Sequence, residues 1–226
     1  MYIKEIAIDN FRIYKGEHQL SFSPEKDKNI FILSGSNGYG KTTFLTALVW
    51  CLYGKQMKDV DDYYKSQIAE VGGYGNYIQS CHNHKANANG DNEFQVGITF
   101  SGIDVPTLRC DEIKIVRTGF YKRGIDDLKI YIDGNLNELT KEVGNEIFVQ
   151  DFLLPKEVAK FFFFDAEKIV ALAEINSPEQ RRLLSKAYTE VLGIKKYEDL
   201  KEQLENIQDD YRKKSAKPKE KTELNS

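Results

Sequence analysis

Apolar positions along the first half of the chain switch between two periods. Tyr2 to Ile8 reads as a short strand, followed by a turn over Arg12 to Gly16. His18, Leu20 and Phe22 then alternate with Gln19, Ser21 and Ser23, the pattern of a half-buried strand, with His18 as a packed histidine. Ile30 to Leu33 is an uninterrupted apolar run, which predicts a strand covered on both faces. A Gly-rich stretch, Gly35–Gly40, follows at once. Phe44, Leu45, Leu48, Val49 and Leu52 then recur at helical spacing until Gly54, a C-terminal stop.

From Lys55 to Asp91 the pattern fades into residues rich in Gly, Asn and Tyr, which predict loops with one short helix. Alternation returns at Phe94, Val96, Ile98 and Phe100, and again over Ile113–Arg117 and Leu128–Ile132, the last closing on an Asp133–Gly134 turn. Glu142 to Phe152 suits a helix, Pro155 breaks the chain, and Phe161–Phe164 reads as a deeply buried strand. Ser177-Pro178-Glu179-Gln180 combines a capping serine, a first-turn proline and a capping-box glutamine. After it, Tyr197, Leu200, Leu204, Ile207 and Tyr211 follow a 3, 4, 3, 4 spacing, the seam of a coiled coil. That unpartnered seam on a charged helix implies a partner helix outside this chain. Lys213 to Ser226 is polar and predicts a disordered tail.

Composition changes the picture in a few respects. The 226 residues are 41% hydrophobic and 30% charged, a balance that suits a globular α/β domain with or without an appendage. No run approaches the ~20 apolar residues of a membrane span, and the N-terminus lacks the apolar stretch of a signal peptide; the expected location is cytoplasmic. Three widely spaced cysteines, Cys51, Cys81 and Cys110, argue against a disulfide framework. A net charge of −3 means that any nucleic-acid contact would need a local basic patch. Lys114, Arg117, Lys122 and Arg123 are the first such cluster, although Asp126 and Asp127 favour a solvated hairpin; Lys195-Lys196 is a second. Cys81-His82-Asn83-His84 lacks a second ligand pair for zinc and reads as a polar loop.

The chemistry sits in Gly35-Ser-Asn-Gly-Tyr-Gly40-Lys41-Thr42, a full G-x-x-x-x-G-K-[ST] pattern between an expected strand and an expected helix. Glycines let successive main-chain amides curl around phosphates, and the following helix points its positive end at the same anion. Lys41 would reach the β- and γ-phosphates and the Thr42 hydroxyl would ligate magnesium. Ser36, Asn37, Gly38, Gly40, Lys41, Thr42 and Thr43 are therefore the expected nucleotide-binding residues, with ATP and Mg2+ as ligands. No N-K-x-D motif for guanine appears.

With Asn37 inside the cradle and Asn10-Phe11-Arg12 upstream, the chain resembles the N-terminal half of an SMC-type ATPase head, the split-ABC family of chromosome-maintenance and break-repair proteins. Leu153-Leu-Pro155, Phe161-Phe-Phe-Phe-Asp165-Ala-Glu167-Lys-Ile169 and Leu192-Gly-Ile-x-x-Tyr197 resemble the DndD proteins of bacterial DNA phosphorothioation systems and their defence-related cousins, with Ala166 where that family has glycine. The resemblance implies an ABC-type N-terminal lobe, a mixed sheet with antiparallel strands, over residues 1–176. A coiled-coil stem follows over 177–214 and a disordered tail over 215–226. It implies that Arg12 contacts a nucleotide phosphate, where the alternative is a surface arginine in a turn. It places Asp165 at the Q-loop as a magnesium ligand, where the alternative is a helix cap with Glu167 in the first turn. It further implies a C-terminal half-head with Walker B and signature motifs missing from this chain, an ATP-bridged homodimer, DNA and DNA-processing proteins as partners, and little hydrolysis by this chain alone. No catalytic residue is assigned. The alternatives are a nucleotide-gated scaffold, or a compact complete NTPase with Phe161–Asp165 as its Walker B strand.

Overall fold

The computed structural model describes residues 1–23, 29–103, 110–137, 144–156, 159, 163, 200–201 and 203–208. The chain divides into two compact units, Met1–Ala166 and Glu167–Ser226. The first is built on a six-stranded sheet in the order β2-β1-β3-β4-β5-β6. Its strands are β1 (Tyr2–Asp9), β2 (Glu17–Ser21), β3 (Glu93–Ser101), β4 (Glu112–Phe120), β5 (Ile125–Ile132) and β6 (Asn135–Leu136). Every pairing is antiparallel. Asp133 and Gly134 turn β5 into β6 with φ of 46° and 80°, as the Asp-Gly pair predicts.

The register aligns one apolar face: Ile6 opposite Ile98, Ile8 opposite Val96, Ile98 opposite Ile115, and Ile115 opposite Ile130. These residues join one buried cluster with the helix α1 (Lys41–Tyr53). Thr46 through Tyr53 are all buried, so the last two turns of α1 are covered all round rather than on one stripe. The rings of Phe11, Trp50 and Phe94 meet at 5.0–5.7 Å within this core.

The segment expected to be mostly loop is largely helical. A 3-10 turn (Gly54–Asp59) leads into α2 (Asp62–Glu70), α3 (Tyr74–Cys81) and α4 (His84–Ala88). Asp61 and Asn83 cap α2 and α4 through their side chains. The helices hold because the tyrosines serve as core: Tyr64 and Tyr77 are buried with Ile68 and Ile78. Their polar tips and the intervening Asn and Gly residues masked the periodicity. Further on, α5 (Asn145–Phe148) runs into a π-helical turn over Val149–Leu153 and ends before Pro155.

Three other expectations need correction. Ile30–Leu33 forms no strand, and its side chains are 83, 48, 84 and 49% exposed. A strand covered on both faces needs sheet neighbours, and among the described residues none pairs with it; the sheet ends at β2. Phe31 meets only the edge of Phe22, with ring centroids 5.0 Å apart. His18 is exposed instead of packed, its Nε2 at 3.0 Å from the Lys15 carbonyl, because it stands on edge strand β2, at the rim of the face whose interior holds Ile6 and Ile8. Of Phe161–Phe164 only Phe163 lies within the described residues. It sits at a bend, and its N–H donates to the Ala159 carbonyl at 2.8 Å, a helical bond rather than a ladder bond.

Arg117 corrects a fourth. It belongs to no solvated patch: it is 1% exposed, on the core face of β4 between Val96 and Leu128. Its Nη1 pairs with Asp126 and, at 3.1 Å, with Glu146; its Nε donates to the Cys51 carbonyl in the last turn of α1 at 3.0 Å. Burial opposes the charge, and Asp126 and Glu146 outweigh it, so the guanidinium is held above its ordinary pKa.

In the second unit, residues 200–201 and 203–208 are helical with Leu200, Leu204 and Ile207 exposed. The Ser177 start, Lys195-Lys196, Tyr197, Tyr211 and the tail lie outside the described residues.

Removing Arg117 would leave the largely buried carboxylate of Asp126 without its partner and orphan the Cys51 carbonyl of the helix, while Glu146 remains open to water. Arg117→Ala is expected to lower the unfolding free energy by about 3 kcal/mol, read from urea denaturation. A loss within experimental error of zero would contradict the role given to this ion cluster.

Candidate phosphate-binding site

The site begins at the junction between the exposed loop and the buried helix. Gly38 and Gly40 sit at φ of 85° and 95°, in the left-handed region that glycine tolerates. At Gly40 the constraint is also spatial: a Cβ there would run into the Ile13 side chain and lie 3.1 Å from Tyr14 Oη. The backbone turns tightly between these glycines, with Tyr39 N–H reaching the Ser36 carbonyl at 3.3 Å.

Gly40 is the N-cap of α1, and no side chain caps the helix there. No acidic residue lies in the first turn either, so the positive end of a 13-residue helix carries no compensation from its own cap or first turn. Phe44 N–H returns to the Gly40 carbonyl at 2.8 Å, and the earlier amides of the turn have no such backbone partner among the described residues. Lys41 adds its own charge. Its Nζ folds back over the loop and donates to the carbonyls of Gly35 at 2.6 Å and Ser36 at 3.2 Å. Thr42 is exposed on the same first turn, Thr43 is half-buried, and Ser36 and Asn37 are exposed in the loop. Main-chain amides, an ammonium and a hydroxyl therefore lie together along the loop and the first turn of α1, the donor set that a phosphorylated ligand and its divalent cation require.

The turn after β1 buttresses this junction. Tyr14 Oη donates to the Gly40 carbonyl at 3.1 Å. Asn10 and Arg12 adopt left-handed φ of 53° and 50°. Arg12 points its guanidinium toward the helical segment, donating from Nη2 to Gln67 Oε1 at 3.0 Å and Tyr77 Oη at 3.1 Å. Sequence reasoning singled out Arg12 but not Ile13, Tyr14, Gln67, Tyr77 or Asn83, whose Nδ2 reaches the Arg12 carbonyl. Only the proximity of Tyr14 to Asn10-Phe11-Arg12 could have signalled any of them. Asp165 and Glu167 lie outside the described residues.

Cys81-His82-Asn83-His84 is not a polar loop. Cys81 ends α3 and is buried, His82 bridges to Phe11, and Asn83 caps α4. The His82 ring stacks on Phe94 with centroids 5.9 Å apart and meets Tyr121 at 5.4 Å. Burial holds its pKa below the ordinary 6.5 against the opposing pull of Asp91, the Glu93 backbone and Asp9. Among the described residues no group of three or more His, Cys, Asp or Glu could hold a metal ion. Nor is any of their helices long and apolar enough to cross a membrane.

Comparison with known proteins extends these observations. A family model described as an AAA domain matches residues 5–226. The probable DNA double-strand break repair Rad50 ATPase of Aquifex aeolicus (strain VF5) is 26% identical over 223 residues, 91% of this chain and 20% of that protein. The DNA replication and repair protein RecF of Clostridium kluyveri is 42% identical over 62 residues, 27% of this chain and 16% of that protein. The structural maintenance of chromosomes protein 3 homolog of Plasmodium falciparum (isolate 3D7) is 34% identical over 82 residues, 36% of this chain and 6% of that protein. The chain thus spans a fifth or less of the length of each of these relatives.

Two outcomes follow from the geometry. Gly40→Ala is expected to cost about 1–3 kcal/mol, and truncating Ile13 to Ala in the same chain should recover the steric share; urea midpoints of the single and double variants decide. For His82, the unfolded chain binds a proton below its pKa of 6.5 while the native chain resists it. Stability should therefore be flat above that value and fall as pH drops through the window below it. His82→Phe keeps a ring between Phe94 and Tyr121 and should flatten this part of the slope; superimposable stability–pH curves would refute the assignment.

Proposed function

The chain belongs to the AAA domain family, and from that premise we propose that it is the ATP- and magnesium-binding N-terminal half of an SMC-like ATPase head that acts on DNA. One observation carries the reading. The ammonium of Lys41 lies across the mouth of a glycine-bent loop, on the carbonyls of Gly35 and Ser36, at the uncapped start of a deeply buried helix. Neutral carbonyls are weak partners for a cation, and a phosphate oxygen in the same place is a strong one.

In this reading Mg-ATP supplies the phosphoanhydride whose cleavage releases energy. The chain's own residues bind and orient it. The amides of Gly38 to Thr43 receive the phosphates, with Ser36 and Asn37 forming the loop's outer wall. Lys41 exchanges carbonyl for phosphate, and Thr42 turns its hydroxyl to magnesium. Arg12 adds a guanidinium, and Asp165 is assigned to magnesium by the resemblance of its surrounding motif alone.

The whole assembly is also proposed. Exposed Ile30–Leu33 fits a strand whose sheet partner comes from a second half-head, one carrying Walker B and signature motifs. The short share of the Rad50 relative that this chain spans supports the same reading. Two such heads would sandwich ATP as a homodimer, and the Leu200, Leu204 and Ile207 stripe would begin the coiled-coil stem. The relatives' printed roles in break repair, replication and repair, and chromosome maintenance support DNA as the object of the cycle. Within that class the Phe-rich stretch favours a DndD-like protein of DNA modification or defence. A compact, complete NTPase is disfavoured, because Phe163 makes a helical bond where a Walker B strand would need a ladder.

Equilibrium dialysis of the 226-residue chain against Mg-ATP should show binding that Lys41→Ala weakens by at least about tenfold, with the thermal midpoint unchanged. Turnover by the unmodified chain should be slow. Brisk hydrolysis would overturn the half-head assignment, and unaltered binding by Lys41→Ala would overturn the site.

A further inference from the structure

Arg12 is fixed more completely than a turn arginine needs to be. Its N–H donates to the Cys81 carbonyl at 2.7 Å, and its own carbonyl accepts from Asn83 Nδ2 at 2.5 Å. Its guanidinium carbon lies 5.4 Å from the Tyr77 ring centroid and 5.8 Å from that of Phe11. The Cys81 thiol is one hydrogen-bond partner of the side chain, and Nη2 donates to Gln67 on α2 and Tyr77 on α3.

Both of those acceptors are neutral. The ion pairs among the described residues involve other cations, Lys4, Arg117, Lys156 and Lys201. A guanidinium presents five N–H donors in a rigid fork, so Gln67, Tyr77 and Cys81 together leave donors and charge of Arg12 unused. Two residues along, Tyr14 holds the Gly40 carbonyl, so this turn is continuous with the phosphate cradle. This partly buried cation, clamped by neutral groups on a turn continuous with the cradle, has no anionic partner in an ion pair among the described residues.

We propose that Gln67 and Tyr77 are positioning residues for nucleotide binding, holding Nη2 of Arg12 so that the rest of its fork is set for a phosphate oxygen. The proposal rests on the reading of Arg12 as a phosphate contact. Its physical basis is preorganisation: a long side chain already ordered before the ligand arrives loses less freedom on binding.

The test is the Kd for Mg-ATP of the full chain and of Arg12→Ala, Gln67→Ala, Tyr77→Phe and the corresponding double variants. Gln67→Ala and Tyr77→Phe are each expected to weaken binding about 3- to 10-fold, the worth of a hydrogen bond, with thermal midpoints unchanged. In the Arg12→Ala background neither should have any further effect, an outcome that a general loss of structure would not give. If Arg12→Ala leaves Kd unaltered, the phosphate reading itself fails. If Arg12→Ala weakens binding but the other two do not, or weaken it equally without Arg12, only the positioning role fails. Tighter binding by Gln67→Ala would also refute it, by showing a restraint that the ligand must release. Gln67 is half-buried and tolerates truncation, so it carries the test alone should Tyr77→Phe unfold the chain.

Discussion

The burial of α1 on all sides is the constraint from which the site takes its form. With Thr46 through Tyr53 enclosed by sheet and helices, the axis of α1 cannot shift without opening the core. Its two ends are then treated oppositely. At the C-terminal end Arg117 places a cation against the Cys51 carbonyl, where the helix is negative. At the N-terminal end no side-chain cap and no carboxylate of the first turn answer the positive pole. A rigid helix satisfied at one end and unsatisfied at the other is a fixed source of attraction for an anion, and Lys41 adds a formal charge to it.

Glycine, tyrosine and isoleucine make the join between that rigid helix and the loop. Gly40 has no Cβ, Ile13 fills the space one would need, and Tyr14 holds the carbonyl that also anchors the first bond of α1. The helical segment from α2 to α4 supports the turn carrying these residues through Cys81 and Asn83. The cradle is therefore braced from behind by elements far along the chain, which is how an exposed loop keeps one shape.

The strands with clean alternation and the helix after the cradle were legible in sequence, because each buries a single periodic face or ends on a glycine. The glycine-bent loop before α1 was legible because backbone chemistry dictates the spacing of Gly38 and Gly40, both at left-handed φ. What escaped reading had mixed signals. The tyrosines of α2 and α3 are apolar in their rings and polar at their tips, and the structure uses both properties: Tyr77 is buried and still bonds Arg12. Arg117 looked like surface charge, yet its parity with Ile113 and Ile115 already put it on the inward face, with its partner Asp126 two residues before the opposing Leu128 on the next strand. Ile30–Leu33 failed for the reverse reason: its local pattern is that of an inner strand, but a pattern does not supply the neighbour that such a strand needs.

That unpaired stretch has a consequence for the chain in solution. Four consecutive β-favouring side chains, Ile, Phe, Ile and Leu, stand open beside the last strand of an antiparallel sheet. Such a segment adheres to its like, since two copies can satisfy each other's main-chain groups and shed water together. At high concentration, self-association is one way for the chain to hide that surface.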